Sequence, residues 1–188
     1  MTGWNRGSRS FLERCAIILI RGTHKLLKRV GIQSSELGAS TNALGDWYAT
    51  IVHAGRIQLV LCTSANSLLS VVFEARQVRT RIAEHLCNSL ESLLFDIGVS
   101  EPRVRAELNE MSECRFGPTA SRSILGSMND FTGTIRYRIC AQPNMPLRQI
   151  SLELSGTPCR GTLGVLFPNE RAMMLLENWH RECYPTRQ

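Results

Sequence analysis

The chain has 188 residues, of which 43% are apolar, 20% charged and 6% aromatic, with 14 Gly and 7 Pro. That is enough apolar material for one core of ordinary size; it excludes a disordered tail and a collagen-like fibre, and the length argues for one domain rather than two. The formal charge is +6; seven basic side chains against Glu13 within residues 1–30 account for all of it, leaving 15 basic and 15 acidic residues to balance over the rest.

Residues 1–14 lack apolar periodicity and read as a basic, flexible N-terminal extension, with a single globular domain over 15–182 and a C-terminal tail at 183–188. Residues 15–20 (CAIILI) form a short, β-branched run that predicts a buried strand. Thr23 then stands as an N-cap for a short helix that Gly31 ends. The Ser-, Gly- and Thr-rich residues 32–43 read as a loop. Residues 47–52 and 57–62 are apolar runs joined by His53-Ala54-Gly55-Arg56, a hairpin pattern, and residues 68–73 supply a third strand.

Val78, Ile82, Leu86, Leu90, Leu93, Leu94 and Ile97 recur at helical spacing, which predicts a long amphipathic helix over 76–98 that Gly98 ends. A second helix is expected over 101–112, with Pro102 in its first turn. Residues 121–140 fit two patterns. Ile124, Met128, Phe131, Ile135 and Ile139 share a helical face, whereas Ile135, Tyr137 and Ile139 also alternate as in a strand; the longer pattern favours helix. Residues 147–154 form a short element of either type, and Pro168 opens a last helix to about residue 181. The sum is an α+β fold: a small, mostly antiparallel N-terminal sheet packed by about four helices in one domain.

No apolar run approaches the ~20 residues of a membrane span, so no membrane association is expected. The seven cysteines are widely spaced, without a CxxC pair, which argues against a disulfide framework or a closed zinc site and for a reducing, cytoplasmic location. The four histidines are scattered, and no metal-binding spacing, phosphate-binding glycine loop or nucleophile elbow occurs. No metal and no cofactor is therefore expected.

Residues 44–49 (LGDWYA) and 122–131 (RSILGSMNDF), together with Ile20 to Leu27 and Thr157-Pro158-Cys159, carry a resemblance to a family of small prokaryotic proteins that is a domain of unknown function. The resemblance spans roughly residues 15–180 and implies one domain that begins near the first strand. It implies no established activity.

The polar side of the 122–131 helix is the leading candidate site. Arg122, Asn129 and Arg136 recur every seven residues, hence on one helical face. Arg122 suits a forked contact to phosphate or carboxylate, Ser127 is a candidate ligand-binding residue, Asn129 suits a hydrogen bond to a ligand or a neighbouring backbone, and Gly126 suits a close approach of a second backbone or a ligand. Asp130 and Asp46 are the candidate catalytic carboxylates. Trp47 is a candidate for stacking a base. The structural alternative is a polar network in which Asp46 pairs with Arg122. Cys159 precedes Arg160, which favours a lowered thiol pKa, but no histidine base is identifiable beside it.

Two functions are expected from these features. One is an interaction protein whose Arg-bearing surface docks a nucleic acid or an acidic protein partner. The other is a small enzyme acting on a phosphate-bearing substrate, with Asp46, Arg122, Asn129 and Asp130 around its pocket.

Overall fold

A central strand, β1 (Ile17–Gly22), organises the computed structural model, which describes residues 16–31, 40–76, 78–161 and 164–183. β1 is followed by α1 (His24–Val30), β2 (Trp47–Ala54), β3 (Ile57–Ser64), β4 (Ser70–Glu74), α2 (Val78–Asp96), α3 (Glu101–Asn109), β5 (Glu113–Pro118), α4 (Arg122–Ala141), α5 (Leu147–Ser155), β6 (Cys159–Gly161), β7 (Gly164–Leu166) and α6 (Pro168–Cys183). Five strands form one sheet in the order β4-β3-β2-β1-β5, and β6 and β7 pair separately as a small antiparallel ladder. The expected extension at 1–14 and the tail beyond residue 183 lie outside the described residues.

The α+β class and the mostly antiparallel pairing hold within a mixed sheet, and the described residues form six helices rather than about four. β2–β3 and β3–β4 are antiparallel, whereas β1 runs parallel to both β2 and β5. The parallel pairs arise because each return to β1 passes through a crossover, α1 on one side and α2–α3 on the other. Residue patterning missed β5 and the short strands β6 and β7. In the β5 sequence ECRFGP only Cys114 and Phe116 alternate with polar residues, and both pack partly buried against the core; the rest is a partly exposed edge strand held by its register on β1, with Ile17 opposite Glu113 and Ile20 opposite Phe116.

Period-two alternation sorts the sheet residues into two faces. Ile18, Ile20, Trp47, Ala49, Val60, Cys62, Val71 and Phe73 face one core, which α2 fills with Ile82, Leu86, Leu90 and Leu93. Tyr48, Val52, Leu59, Leu61 and Val72 face the other, filled by Met128, Phe131, Ile135 and Ile139 of α4 and Ile150 and Leu154 of α5. Each fully buried leucine on α2 contributes about 1.5–3 kcal/mol by leaving water. Helices thus cover both faces, the physical reason the strands read as near-continuous apolar runs.

Local details differ from the sequence expectations in instructive ways. The turn at residues 55–56 closes the expected hairpin, with Gly55 at φ +59°. Leu68 adopts φ +62°, so β4 starts two residues later than expected. Gly31 ends α1 in the left-handed conformation, its N–H bonded to Leu27 O at 2.9 Å. Thr23 makes no side-chain cap; its hydroxyl meets that of Thr50 at 3.2 Å instead. The 133–140 stretch is helical, with Ser121 capping α4 through Ile124 N. At the sheet edge, Ser151 of α5 accepts the Val72 N–H at 2.9 Å, satisfying a donor that no neighbouring strand reaches.

Candidate functional site

The 42–47 loop is built as a scaffold. Asp46 sits between β1 and β2, where Oδ2 accepts from Arg21 Nε at 2.6 Å and Oδ1 from Ser40 Oγ at 2.7 Å. Arg21 also donates to Pro118 O at 3.3 Å, so one guanidinium ties β1 to the start of β2 and the end of β5. The expected Asp46–Arg122 pair is not formed. Arg122 is exposed on the first turn of α4 and makes no hydrogen bond or ion pair among the described residues, because the register opposing Ile20 to Trp47 brings Arg21 beside Asp46. The same register turns Trp47 into the core at 0% exposure, so it is not available to stack a base. Gly45 takes φ +73°, and a Cβ there would stand 2.7 Å from Asn66 Nδ2.

Beneath this loop lies a residue that sequence reasoning missed. Glu107 of α3 is fully buried and accepts from Asn42 Nδ2 (2.6 Å), Ala43 N (2.9 Å) and Leu44 N (3.1 Å). Burial pushes its carboxyl up to about 7, against the opposing pull of those three donors. The only local signal was the position of Glu107 three residues after buried Val104.

The polar residues of α4 divide between solvent and a pocket. Arg122 and Asn129 are exposed. Ser127, Asp130, Phe131 and Thr134 line a cavity of about 160 Å³ with Thr157, Pro158 and Cys159 from the segment that enters β6. Asp46, Trp47, Arg122 and Asn129 do not line it. Two stretches singled out in the sequence, 122–131 and 157–159, therefore do meet, but through other residues than those spaced along the Arg122–Asn129–Arg136 face. Gly126 is exposed, and a Cβ on it would meet nothing within 4 Å, so the close backbone approach expected there is absent. Burial first, and the Asp130 carboxylate second, raise the Cys159 thiol. This reverses the lowering expected from Arg160 and keeps the sulfur protonated, with Sγ donating to Thr157 O at 3.4 Å.

A second pocket, of about 280 Å³, opens where α1, the β2–β3 turn and the end of β4 meet. Arg29, Arg56, Gln58, Glu74 and Arg76 line it. Arg29 is held by Gln58 Oε1 and by Ala75 O at 3.4 Å, which fixes its fork. Arg76 pairs with Glu74 at 2.9 Å, and Arg56 makes no hydrogen bond or ion pair among the described residues. Arg136 of α4 reaches the same end of the sheet, its Nε donating to His53 O at 3.1 Å. These arginines are tens of residues apart, and no spacing announced them.

Among the described residues no group of three His, Cys, Asp or Glu side chains is placed to hold a metal ion, and no helix is long and apolar enough to cross a membrane. Cys62, Cys87, Cys114, Cys140 and Cys159 are free thiols.

Helices on both faces of a five-stranded mixed sheet, with two polar pockets at its periphery, define a single α+β domain. Residues 19–171 match the family described as a domain of unknown function (DUF6933), and the chain belongs to that family. A comparison with curated proteins finds none that matches the chain.

Proposed function

We propose that this is a cytoplasmic interaction protein that docks the anionic groups of a nucleic acid or of an acidic protein partner on its arginine-bearing end. The observation that carries the reading is the pocket lined by Arg29, Arg56 and Arg76, with Glu74 the one acid in its wall. Arg29 is pre-positioned by Gln58 and Ala75, and Arg56 has its fork free of any described partner, an arrangement suited to forked contacts with phosphate or carboxylate. Arg136 at the same end, and exposed Lys25 and Lys28 on α1, extend the positive surface. Free thiols suit a reducing compartment. The enzyme reading has less support, since the Asp46 carboxylate is occupied by Arg21 and Ser40 while Asp130 opens onto a separate cavity.

The test is binding of a labelled single strand of about 20 nucleotides, and of a polyglutamate peptide, across a salt series. Replacing Arg29, Arg56 and Arg76 together by Gln is expected to flatten the log–log salt dependence for the oligonucleotide by roughly two to three units, at about 0.7–0.9 per contact. Tight binding of the peptide alone selects the acidic protein partner. Binding of either probe that the triple variant leaves unchanged overturns the reading.

A further inference from the structure

We propose that the cavity between α4 and the 157–159 segment is a binding site for a primary ammonium group. Its chemistry follows from which protons its walls have already committed. Thr134 donates its hydroxyl proton to Asp130 O at 3.3 Å, and Thr157 donates its own to Glu153 O at 3.0 Å. Cys159 donates to Thr157 O at 3.4 Å and stays a thiol, because burial and the neighbouring Asp130 raise it. What these side chains turn to an incoming ligand is therefore lone pairs. The carboxylate of Asp130 is the one charged group among the residues that line the cavity.

Committed hydroxyls and a thiol that offer acceptors around one negative charge, with Ser127 the one hydroxyl of the described lining free to donate or accept, favour a ligand that is cationic and rich in N–H donors over phosphate. A single carboxylate with two threonine oxygens is a poor set for a divalent cation but matches the three protons of an –NH₃⁺ group. Ser127 is a further polar residue of the lining, while Phe131 and Pro158 are its apolar members. At about 160 Å³, and with about 30 Å³ per water molecule as the yardstick, the cavity holds a short alkylammonium rather than a nucleotide or sugar phosphate. The site lies on residues other than the arginine pocket, so it stands or falls independently of the proposed docking function.

The experiment is a titration of ¹⁵N-labelled protein with ethylammonium chloride to about 50 mM at constant ionic strength, followed by amide chemical shifts; the cavity implies a Kd on the order of millimolar. Saturable shifts confined to residues 127–134 and 157–159 are expected. Tetramethylammonium, which has the charge but no N–H donor, should leave them unmoved. Asp130→Asn should weaken binding at least tenfold; Asp130 is exposed on α4, and the remaining spectrum reports whether the fold is kept. Thr134→Val, which removes one acceptor, gives a second variant with a smaller loss. A parallel titration with Nα-acetyl-lysine methylamide distinguishes a free amine from a peptide-borne one: tighter binding of either supports the site and names its source. Shifts that do not saturate, an equal response to tetramethylammonium, or unchanged binding by Asp130→Asn overturns the proposal.

Discussion

Arg21 and Asp46, 25 residues apart, are joined at 2.6 Å, with each side chain about one-fifth exposed. The pair closes the parallel contact of β1 with β2 where that ladder is shortest, over Ile20 to Gly22 alone. Ser40, whose Oγ both donates to Asp46 and accepts the Leu19 N–H at 3.0 Å, covers the lower part of β1 that β2 does not reach. A carboxylate serving two donors in a half-buried site is structural here.

Removing that carboxylate should therefore act on stability. Asp46→Ala leaves Arg21 and Ser40 without their acceptor and is expected to cost about 1–3 kcal/mol. In a chain of this size that lowers Tm by about 3–10 °C. Arg122→Gln, on an exposed helix turn, should stay within about 0.5 kcal/mol. Thermal melts of the two variants side by side check this. Equal losses in the two variants would make Arg122 the partner of Asp46, and an unaffected Asp46→Ala would remove the structural role of that carboxylate.

Glu107 gives stability a pH dependence of definite sign. Its folded carboxyl lies at about 7, raised first by burial and further by nearby Glu110, above the ordinary value near 4.5. The folded state thus holds a proton that the unfolded chain has already lost between pH 4.5 and 7. The contribution is fully present below the unfolded value and disappears as pH rises through 7, a loss on the order of 3 kcal/mol. Urea midpoints of the wild type should fall over that range relative to Glu107→Gln, which cannot titrate. Parallel pH profiles for the two proteins would refute the assignment.

Two glycines should respond to alanine in opposite directions. Gly45→Ala places a Cβ against Asn66, whose Nδ2 bonds Ala43 O at 3.0 Å, and does so at φ +73°; a loss of about 1–3 kcal/mol is expected. Gly126→Ala sits in the interior of α4 with open space around it and should stabilise by about 0.5–1 kcal/mol. Denaturant midpoints measure both.

The legible part of the fold is the part whose burial repeats locally. The stripe from Val78 to Leu94 appears in the structure as the buried face of α2, and the two runs around Gly55 appear as β2 and β3. The 133–140 ambiguity resolves as helix because Ile135 and Ile139 face the same core as Met128 and Phe131. β5 was illegible because its alternation is only two apolar residues long, Cys114 and Phe116, and an edge strand with partly exposed side chains needs no more once β1 lies beside it. Of the candidate site, Ser127 and Asp130 line a cavity, while Trp47 is buried and Asp46 is bound elsewhere.

The sequence by itself determined where β1 to β4 and the longer helices lie, that they form one α+β domain, and that the excess positive charge sits near the N-terminus. Periodicity and composition suffice for that, because spacings of two and 3.6 residues are properties of the local chain. Tertiary structure alone decided the partners of the polar groups: Asp46 with Arg21, Glu107 with a loop some 65 residues away, and Arg29, Arg56 and Arg76 around one cavity. A hydrogen bond or ion pair acts over a few ångströms in space at any separation along the chain, so its partner is set by strand order and register.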